Sequence, residues 1–172
     1  IPAREGFLPH HTQFTSRDKV SSCYGYGVTL SALQIAQAYS VFANDGNFIE
    51  LKLFTEHSFD KPMKERVISE ETNQIILKML VETVNSKSGT ASKARINNMI
   101  VAGKTGTAKE TLAEETTYTG TFAGFVPSKD PEFLAVVVLH GLSGEDYSGG
   151  KVSAPVFSNI MQQIFLSKDL KI

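Results

Sequence analysis

A lysine, two threonines and a glycine stand together at Lys104-Thr105-Gly106-Thr107. An ammonium and two hydroxyls on neighbouring residues make a receptor for a carboxylate, because charge-assisted hydrogen bonds to an anion are short and strong. The glycine among them lets a ligand backbone come close to the chain. On an extended strand the side chains alternate, so Lys104 and Gly106 face one way and Thr105 and Thr107 the other. Strand twist and an edge position can bring them round a common groove, and an extended peptide can add alongside such an edge. K-T-G alone is a weak signal. Its place after an apolar stretch and before a hairpin and a last helix gives it weight.

Other side chains lie close in sequence. Lys109, two residues after Thr107, is placed either to meet an anion or to stand in solvent. Tyr118 starts an alternating stretch and Tyr147 lies in a glycine-rich segment; each is an aromatic wall for the groove or plain packing. His140 ends an apolar run and reads as a satisfied polar cap rather than a base. Tyr24-Gly25-Tyr26-Gly27 is expected to shape the approach to a helix rather than touch a ligand. His10 and His11 lack companions to complete a metal set and read as solvated. Cys23, the one cysteine, excludes an internal disulfide framework and has nothing nearby to activate a thiolate.

The elements that must position these groups follow from periodicity and caps. Residues 1–22 mix proline, glycine, serine and threonine and read as extended or looped chain. A helix is expected over 29–44, opened by Thr29 or Ser31, with Ser31 and Gln34 spaced as a capping box. Leu30, Leu33, Ile35, Ala36, Val41 and Phe42 leave it almost no charged face, which places it inside a domain. Residues 50–67 are irregular, with a short strand at 49–53. Ser69 caps a second helix with Glu70 and Glu71 in its first turn, and the spacing of Ile75, Ile76, Met79 and Leu80 marks its buried face. Residues 86–91 form a loop. Residues 119–126 alternate, 127–131 turn, and 133–140 are apolar, so the last two strands form an antiparallel hairpin. A final helix is expected from Ser153 or Ala154, with Pro155 in its first turn and Val156, Phe157, Ile160, Met161 and Ile164 buried. Helices, then strands, then one helix indicate an α+β fold, an antiparallel sheet flanked by helices.

Composition narrows the function. The 172 residues suffice for one ordinary core. Seventeen Lys+Arg against eighteen Asp+Glu leave a net charge of −1, so no basic excess favours a nucleic-acid partner. The longest unbroken apolar run, Phe133 to Leu139, has seven residues, far short of a membrane span. The opening at Ile1 without a methionine reads as a processed product or a portion of something longer.

Several separated stretches add specificity. VAGKTGTAKE, YTGTFAGFVP and GGKVSAPVFSNIM, in that order, closely resemble the last third of the transpeptidase domain of class B penicillin-binding proteins. CYGYGVTLSALQIAQAYSVFANDG resembles an earlier helix of that family with its preceding loop, and the likeness runs from about Tyr24 to Phe165. The resemblance implies the α+β fold shared by penicillin-binding proteins and serine β-lactamases. It also implies a peptidoglycan D,D-transpeptidase, in which a serine attacks the D-Ala-D-Ala bond of a stem peptide and a neighbouring amine resolves the acyl-enzyme. By that likeness Lys104 joins the polar network beside the nucleophile. Thr105 and Thr107 receive the carboxylate of the stem peptide or of a β-lactam, Gly106 permits close approach, and the Thr107 N–H helps form an oxyanion hole. No metal or organic cofactor is implied. The implied partners are the stem peptide, β-lactams, the remainder of the transpeptidase domain and a cell-division or cell-wall synthesis complex. The implied location is the bacterial envelope, on the outer face of the cytoplasmic membrane, with the anchor outside these residues; the YGYG segment leans toward division-type members.

The nucleophile should lie in S-x-x-K at the head of a buried helix. Three matches occur, Ser16 to Lys19, Ser58 to Lys61 and Ser148 to Lys151, and none opens an apolar helix; no S-x-N occurs at all. Residues 1–172 are therefore expected to form a single partial domain that holds the third motif and lacks the first two. Such a chain should be inactive alone and should expose apolar surface to the rest of its domain. The alternatives are a β-lactam sensor or β-lactamase-like protein, or a non-catalytic scaffold module of the same fold.

Overall fold

A computed structural model of the chain describes residues 6, 7, 10, 12, 14–52, 63–112 and 115–169. Helix α1 (Ser16–Ser22) lies where looped chain was expected. Thr15 and Asp18 form a reciprocal capping box that satisfies the first free N–H groups, and none of the helix is buried, so no apolar period announces it. Helix α2 (Ala32–Ala43) starts on the anticipated box: the Ser31 hydroxyl accepts the Gln34 N–H, and the Gln34 side chain accepts the Ser31 N–H. Its burial departs from expectation. Val41 alone is buried, whereas Leu30 and Leu33 are 45% and 44% exposed. One side of α2, with Tyr39, Phe42 and Ala43, packs on Leu80, Ala102 and Phe125, while its other apolar side has no cover among the described residues. Burial pushes the Tyr39 phenol above its ordinary range.

The left-handed pair Asp45 and Gly46 turns the chain into β1 (Asn47–Ile49), which pairs antiparallel with β2 (Lys64–Arg66). The first short strand thus sits two residues earlier than anticipated, and 53–62 lie outside the described residues. Helix α3 (Glu70–Asn85) is capped by Ser69, whose hydroxyl accepts the Thr72 N–H. Its buried residues are Asn73, Leu80 and Val84, while Ile75 and Met79 are 48% and 62% exposed. The buried face is rotated from the anticipated one because the sheet and α2 take the 73–77–80–84 stripe. A 3-10 turn at Ser92–Ala94 follows.

The main sheet has β3 (Ala102–Leu112), β4 (Glu115–Val126) and β5 (Phe133–Leu142) in that spatial order, all antiparallel. Thr107 stands opposite Gly120, and Val126 opposite Phe133 across the anticipated turn. Tyr118 pairs with Leu142 but Gly120 with Leu139, so β5 carries an extra residue, accommodated by Gly141 at φ +67°.

Helix α4 (Gly149–Asp169) begins four residues before the anticipated start, so Pro155 lies inside it. Gly149 and Gly150 explain the early start. Gly149 lies flat on the sheet, where a Cβ would come 2.1 Å from the Thr121 carbonyl oxygen, and Gly150 lies against the loop after α3, where one would come 2.2 Å from the Thr90 carbonyl oxygen. The Ser148 carbonyl then accepts the N–H groups of Lys151 and Val152. Ser153, Ala154, Phe157, Ser158 and Met161 are buried, and Ile160, anticipated inside, is 44% exposed. Phe157 meets Phe122 edge to face at 4.8 Å, both fully buried; burying each such ring contributes about 1.5–3 kcal/mol. Val84, Ala94, Val101, Val126 and Met161 complete that core. Among the described residues no helix is long and apolar enough to cross a membrane. The architecture is α+β, an antiparallel sheet flanked by helices.

Candidate functional site

Strand β3 is an edge of the sheet, and it carries the K-T-G-T residues along that edge. Their side chains alternate as a strand requires. The Thr107 hydroxyl accepts the Gly149 N–H at 3.2 Å, from the first turn of α4. The Thr105 hydroxyl lies 3.2 Å from that of Thr90. Lys104 Nζ donates to the Thr105 carbonyl at 2.9 Å and is otherwise open to solvent. A Cβ built on Gly106 would meet nothing nearer than Thr121 Cβ at 3.6 Å, so packing alone does not demand glycine there.

A cleft of about 590 Å³ opens over this edge. Gly106, Thr107 and Lys109 line one wall; Tyr24, Tyr26 and Leu30 line the other. The Tyr24–Gly27 segment, anticipated only to lead into a helix, is therefore a wall of the cleft. Gly25 and Gly27 adopt φ of +95° and +78°, conformations that favour glycine, and between them they hold two exposed rings edge to face at 5.5 Å. The antiparallel bridge between Phe7 and Thr29 pins the segment's far end. A Tyr-Gly-Tyr-Gly pattern of bare rings on flexible pivots was the signal available in sequence.

Thr105, its hydroxyl turned to Thr90, does not line that cleft, and neither does Lys104. Lys104 faces a second hollow of about 420 Å³ with Met79, Glu82, Thr83 and Thr90. Tyr118 and Tyr147 are brought together, stacked at 3.8 Å with planes 13° apart, but neither lines the cleft beside Thr107. Lys109 stands opposite Tyr118 in the strand register. The His140 ring nitrogen Nδ1 is 2.9 Å from the Thr119 hydroxyl, a satisfied partner. Of the S-x-x-K matches, Ser16 to Lys19 lies on the fully unburied α1. Contrary to expectation, Ser148 to Lys151 does stand at the head of an apolar helix, the Ser148 carbonyl accepting the Lys151 and Val152 N–H groups as α4 begins, but Lys151 pairs with Asp146 at 2.9 Å and holds its carboxyl below its ordinary range. Ser58 to Lys61 lie outside the described residues, as does His11; His10 bonds Thr12.

What the elements define together is an α+β module with an ammonium and hydroxyls along an open strand edge, the equipment for an anionic peptide end. The family follows directly: the chain belongs to the penicillin-binding protein transpeptidase domain family, whose description matches residues 4–162. It is 34% identical over 161 residues to the probable peptidoglycan D,D-transpeptidase PbpC of Pseudomonas aeruginosa, covering 91% of this chain and 28% of that protein. It is 30% identical over 175 residues to the peptidoglycan D,D-transpeptidase FtsI of Escherichia coli, covering 99% of this chain and 29% of FtsI. The transpeptidase domain of Burkholderia pseudomallei penicillin-binding protein 3 superposes with a TM-score of 0.82 at 29% identity, over 97% of this chain and 50% of that one. The chain thus spans under a third of these two relatives and half of that solved domain.

Proposed function

We propose that this chain supplies the carboxylate-receiving strand of a serine-type peptidoglycan D,D-transpeptidase, acting on the outer face of the cytoplasmic membrane in cell-wall synthesis or division. The observation that carries the reading is Thr107, its hydroxyl on an open cleft at the sheet edge, beside a glycine that packing does not require. The stem peptide's terminal carboxylate, or that of a β-lactam, sits on the Thr105 and Thr107 hydroxyls, and the Thr107 N–H contributes to the oxyanion hole. A serine from outside these residues attacks the penultimate D-Ala carbonyl. The terminal D-Ala leaves as an amine carrying the displaced proton. The amine of a second stem then attacks the ester, forming the cross-link and returning the serine hydroxyl. Lys104, on the other face of the strand, joins the polar groups around that serine.

Residues 1–172 form one part of the transpeptidase domain, and the remainder of the domain is their partner. Uncovered Leu30, Leu33, Tyr24 and Tyr26 support this, as does the outer edge of β5, which has no partner strand among the described residues. Fluorescent penicillin tests the reading. The complete domain labels covalently, Thr107→Val in it labels at least about tenfold more slowly, the size of one hydrogen bond to a charged group, and this chain alone does not label. Labelling of the isolated chain would overturn the division of labour. Rapid release of hydrolysed penicillin by the complete domain would turn the reading to a β-lactamase, and a domain that never labels would turn it to a scaffold. An isolated chain that melts cooperatively as a soluble monomer would remove the need for a covering partner.

A further inference from the structure

A hollow of about 840 Å³ lies where α2 ends, between α3 and the turn that joins β4 to β5. None of the K-T-G-T residues lines it, although Glu82 borders both it and the hollow of Lys104. Its floor is apolar: Phe42, Leu77 and Val81 are half-buried there against the core of Leu80, Ala102 and Phe125. Its mouth is charged, and each wall brings one ammonium and one carboxylate. Asp45 and Lys64 come from the end of α2 and from β2, Lys78 and Glu82 from α3, Lys129 and Asp130 from the turn. All six are exposed and, among the described residues, none forms an ion pair. Lys78 and Glu82 stand four residues apart, a spacing at which opposite charges on a helix can meet, and still do not pair.

The charges are unpaired, but the backbone that carries them is fixed. The Arg66 guanidinium donates to the carbonyls of Asp45 and Ile68 at 2.9 and 3.1 Å. In the turn, the Ser128 N–H donates to the Ile100 carbonyl at 2.8 Å and the Glu132 N–H to that of Val126 at 3.3 Å. Asp45 and Asp130 hold φ of +54° and +52°, a conformation that aspartate tolerates and glycine adopts more easily. Both carboxylates thus stand where the backbone alone favours glycine. Three cations against three anions leave the mouth without net charge, so it draws neither a polyanion nor a polycation. Opposed charges around one mouth complement a ligand that carries both signs. The volume falls in the range of about 300–1,000 Å³ typical of small-ligand sites, and the floor suits aliphatic groups.

We propose that this hollow is a second binding site, for a short zwitterionic peptide: its free amine and free carboxylate meet the opposed charges of the mouth, and its aliphatic side chains lie on Phe42, Leu77 and Val81. A free peptide and an uncross-linked stem peptide share that chemistry. The site is separate from the Thr107 cleft and does not depend on what that cleft binds.

The test follows the Leu77 and Val81 methyl signals by NMR in the complete domain, first acylated with penicillin so that the cleft is filled. Two probes are titrated, alanyl-valyl-alanine and a stem peptide ending in D-alanine, each with a free amine and a free carboxylate. At least one shifts both signals at low salt, while the Ile164 methyls on α4 stay in place. The tighter of the two tells a stem from an ordinary peptide. Acetylating its amine or amidating its carboxylate weakens binding about fivefold, the upper size of an exposed ion pair, and high salt removes the difference. Asp45→Asn with Asp130→Asn keeps side chains suited to left-handed residues and removes two carboxylates; it weakens the free-ended probe about fivefold and leaves the acetylated one unchanged. Lys64→Gln with Lys129→Gln does the same, with the amidated probe unchanged. No shift from either probe, equal binding of blocked and free-ended forms, or indifference to both double variants each overturn the site. A domain that penicillin never acylates removes the reading of the cleft, and the Leu77 and Val81 signals still decide this one.

Discussion

The sheet with α4 and the layer formed by α1 and α2 are packed in opposite ways. Phe122, Phe125, Phe157, Val101 and Val126 are fully buried between sheet and helices. Helix α1 buries nothing and α2 only Val41, although α2 has no charged residue at all. A helix without charge that is packed on one side has a second side designed for contact. The first region therefore carries the stability that keeps Thr107's strand in place. The second carries the far wall of the cleft and an apolar surface left uncovered among the described residues. Rigid scaffold on one side and adaptable wall on the other is a common division at binding sites.

Two truncations can break that comparison. Phe157→Ala removes a fully buried ring and should cost about 3–5 kcal/mol, read as a fall in the denaturant midpoint. Leu33→Ala, at 44% exposure, should cost under about 1 kcal/mol in the chain alone. In the complete domain the Leu33 change should rise toward the cost of a buried leucine, about 2–5 kcal/mol. Equal costs in the isolated chain would mean that both regions are packed alike.

Two glycines sharpen the same contrast between structural and ligand-facing groups. Gly149→Ala places a methyl 2.1 Å from the Thr121 carbonyl, so α4 must lift; the expected loss is about 1–3 kcal/mol. Gly106→Ala meets only a 3.6 Å contact, and alanine favours a strand over glycine by about 0.5–1 kcal/mol. Its melting temperature should stay or rise slightly while penicillin labelling of the complete domain falls. A Gly106→Ala protein that melts early and labels normally would assign the glycine to packing. Ser31→Ala, which removes the α2 cap, should cost about 1 kcal/mol by thermal melting.

Local chemistry made some of this legible in sequence. The Ser31–Gln34 box, the Ser69 cap, the hairpin across 127–131 and the edge strand with K-T-G-T were readable because each is set by residues within a few positions. The misses share one cause, dependence on what lies across space. Helix α4 starts at Gly149 because the Thr121 and Thr90 carbonyls admit no side chain there, which no proline rule reveals. Ile75 and Met79 were placed inside by spacing, but the sheet takes the neighbouring stripe with Asn73, Leu80 and Val84. Helix α2 reads as buried all round because it carries no charge, yet among the described residues only one of its sides is covered. At the site, the common groove expected for Lys104, Thr105 and Thr107 is divided: Thr107 lines the cleft, Lys104 faces a second hollow, and Thr105 lines neither. The Tyr24–Gly27 wall was missed because the chain returns to it only through the fold.

The smallest effects separate the two regions by the kind of contact at a charged side chain. Asp146, at the corner of α4, and Asp18, in the cap of α1, both titrate below the ordinary 3.8. Lys151 does this to Asp146 by hydrogen bond and charge, whereas Thr15's hydrogen bonds do it to Asp18. A carboxyl whose folded pKa lies below its unfolded one stabilises the fold above the unfolded value, and that contribution fades as pH falls through the folded value. Lys151 is raised above 10.5 by Asp146, so its share is full below 10.5 and fades as pH climbs through the folded value. Both carboxyls therefore help at neutral pH and lose effect in acid, and only the Asp146–Lys151 pair also has an alkaline limit. The pair is exposed, so salt should screen it, while the hydrogen-bonded cap should be less sensitive. Asp146→Ala should flatten the acid limb of a pH–stability curve at low salt and change little at high salt; Asp18→Ala should flatten it at both. Identical salt responses would mean that Lys151 does not hold Asp146 in solution, and that the corner before Gly149 is kept by the tyrosine stack and the glycine contacts without it.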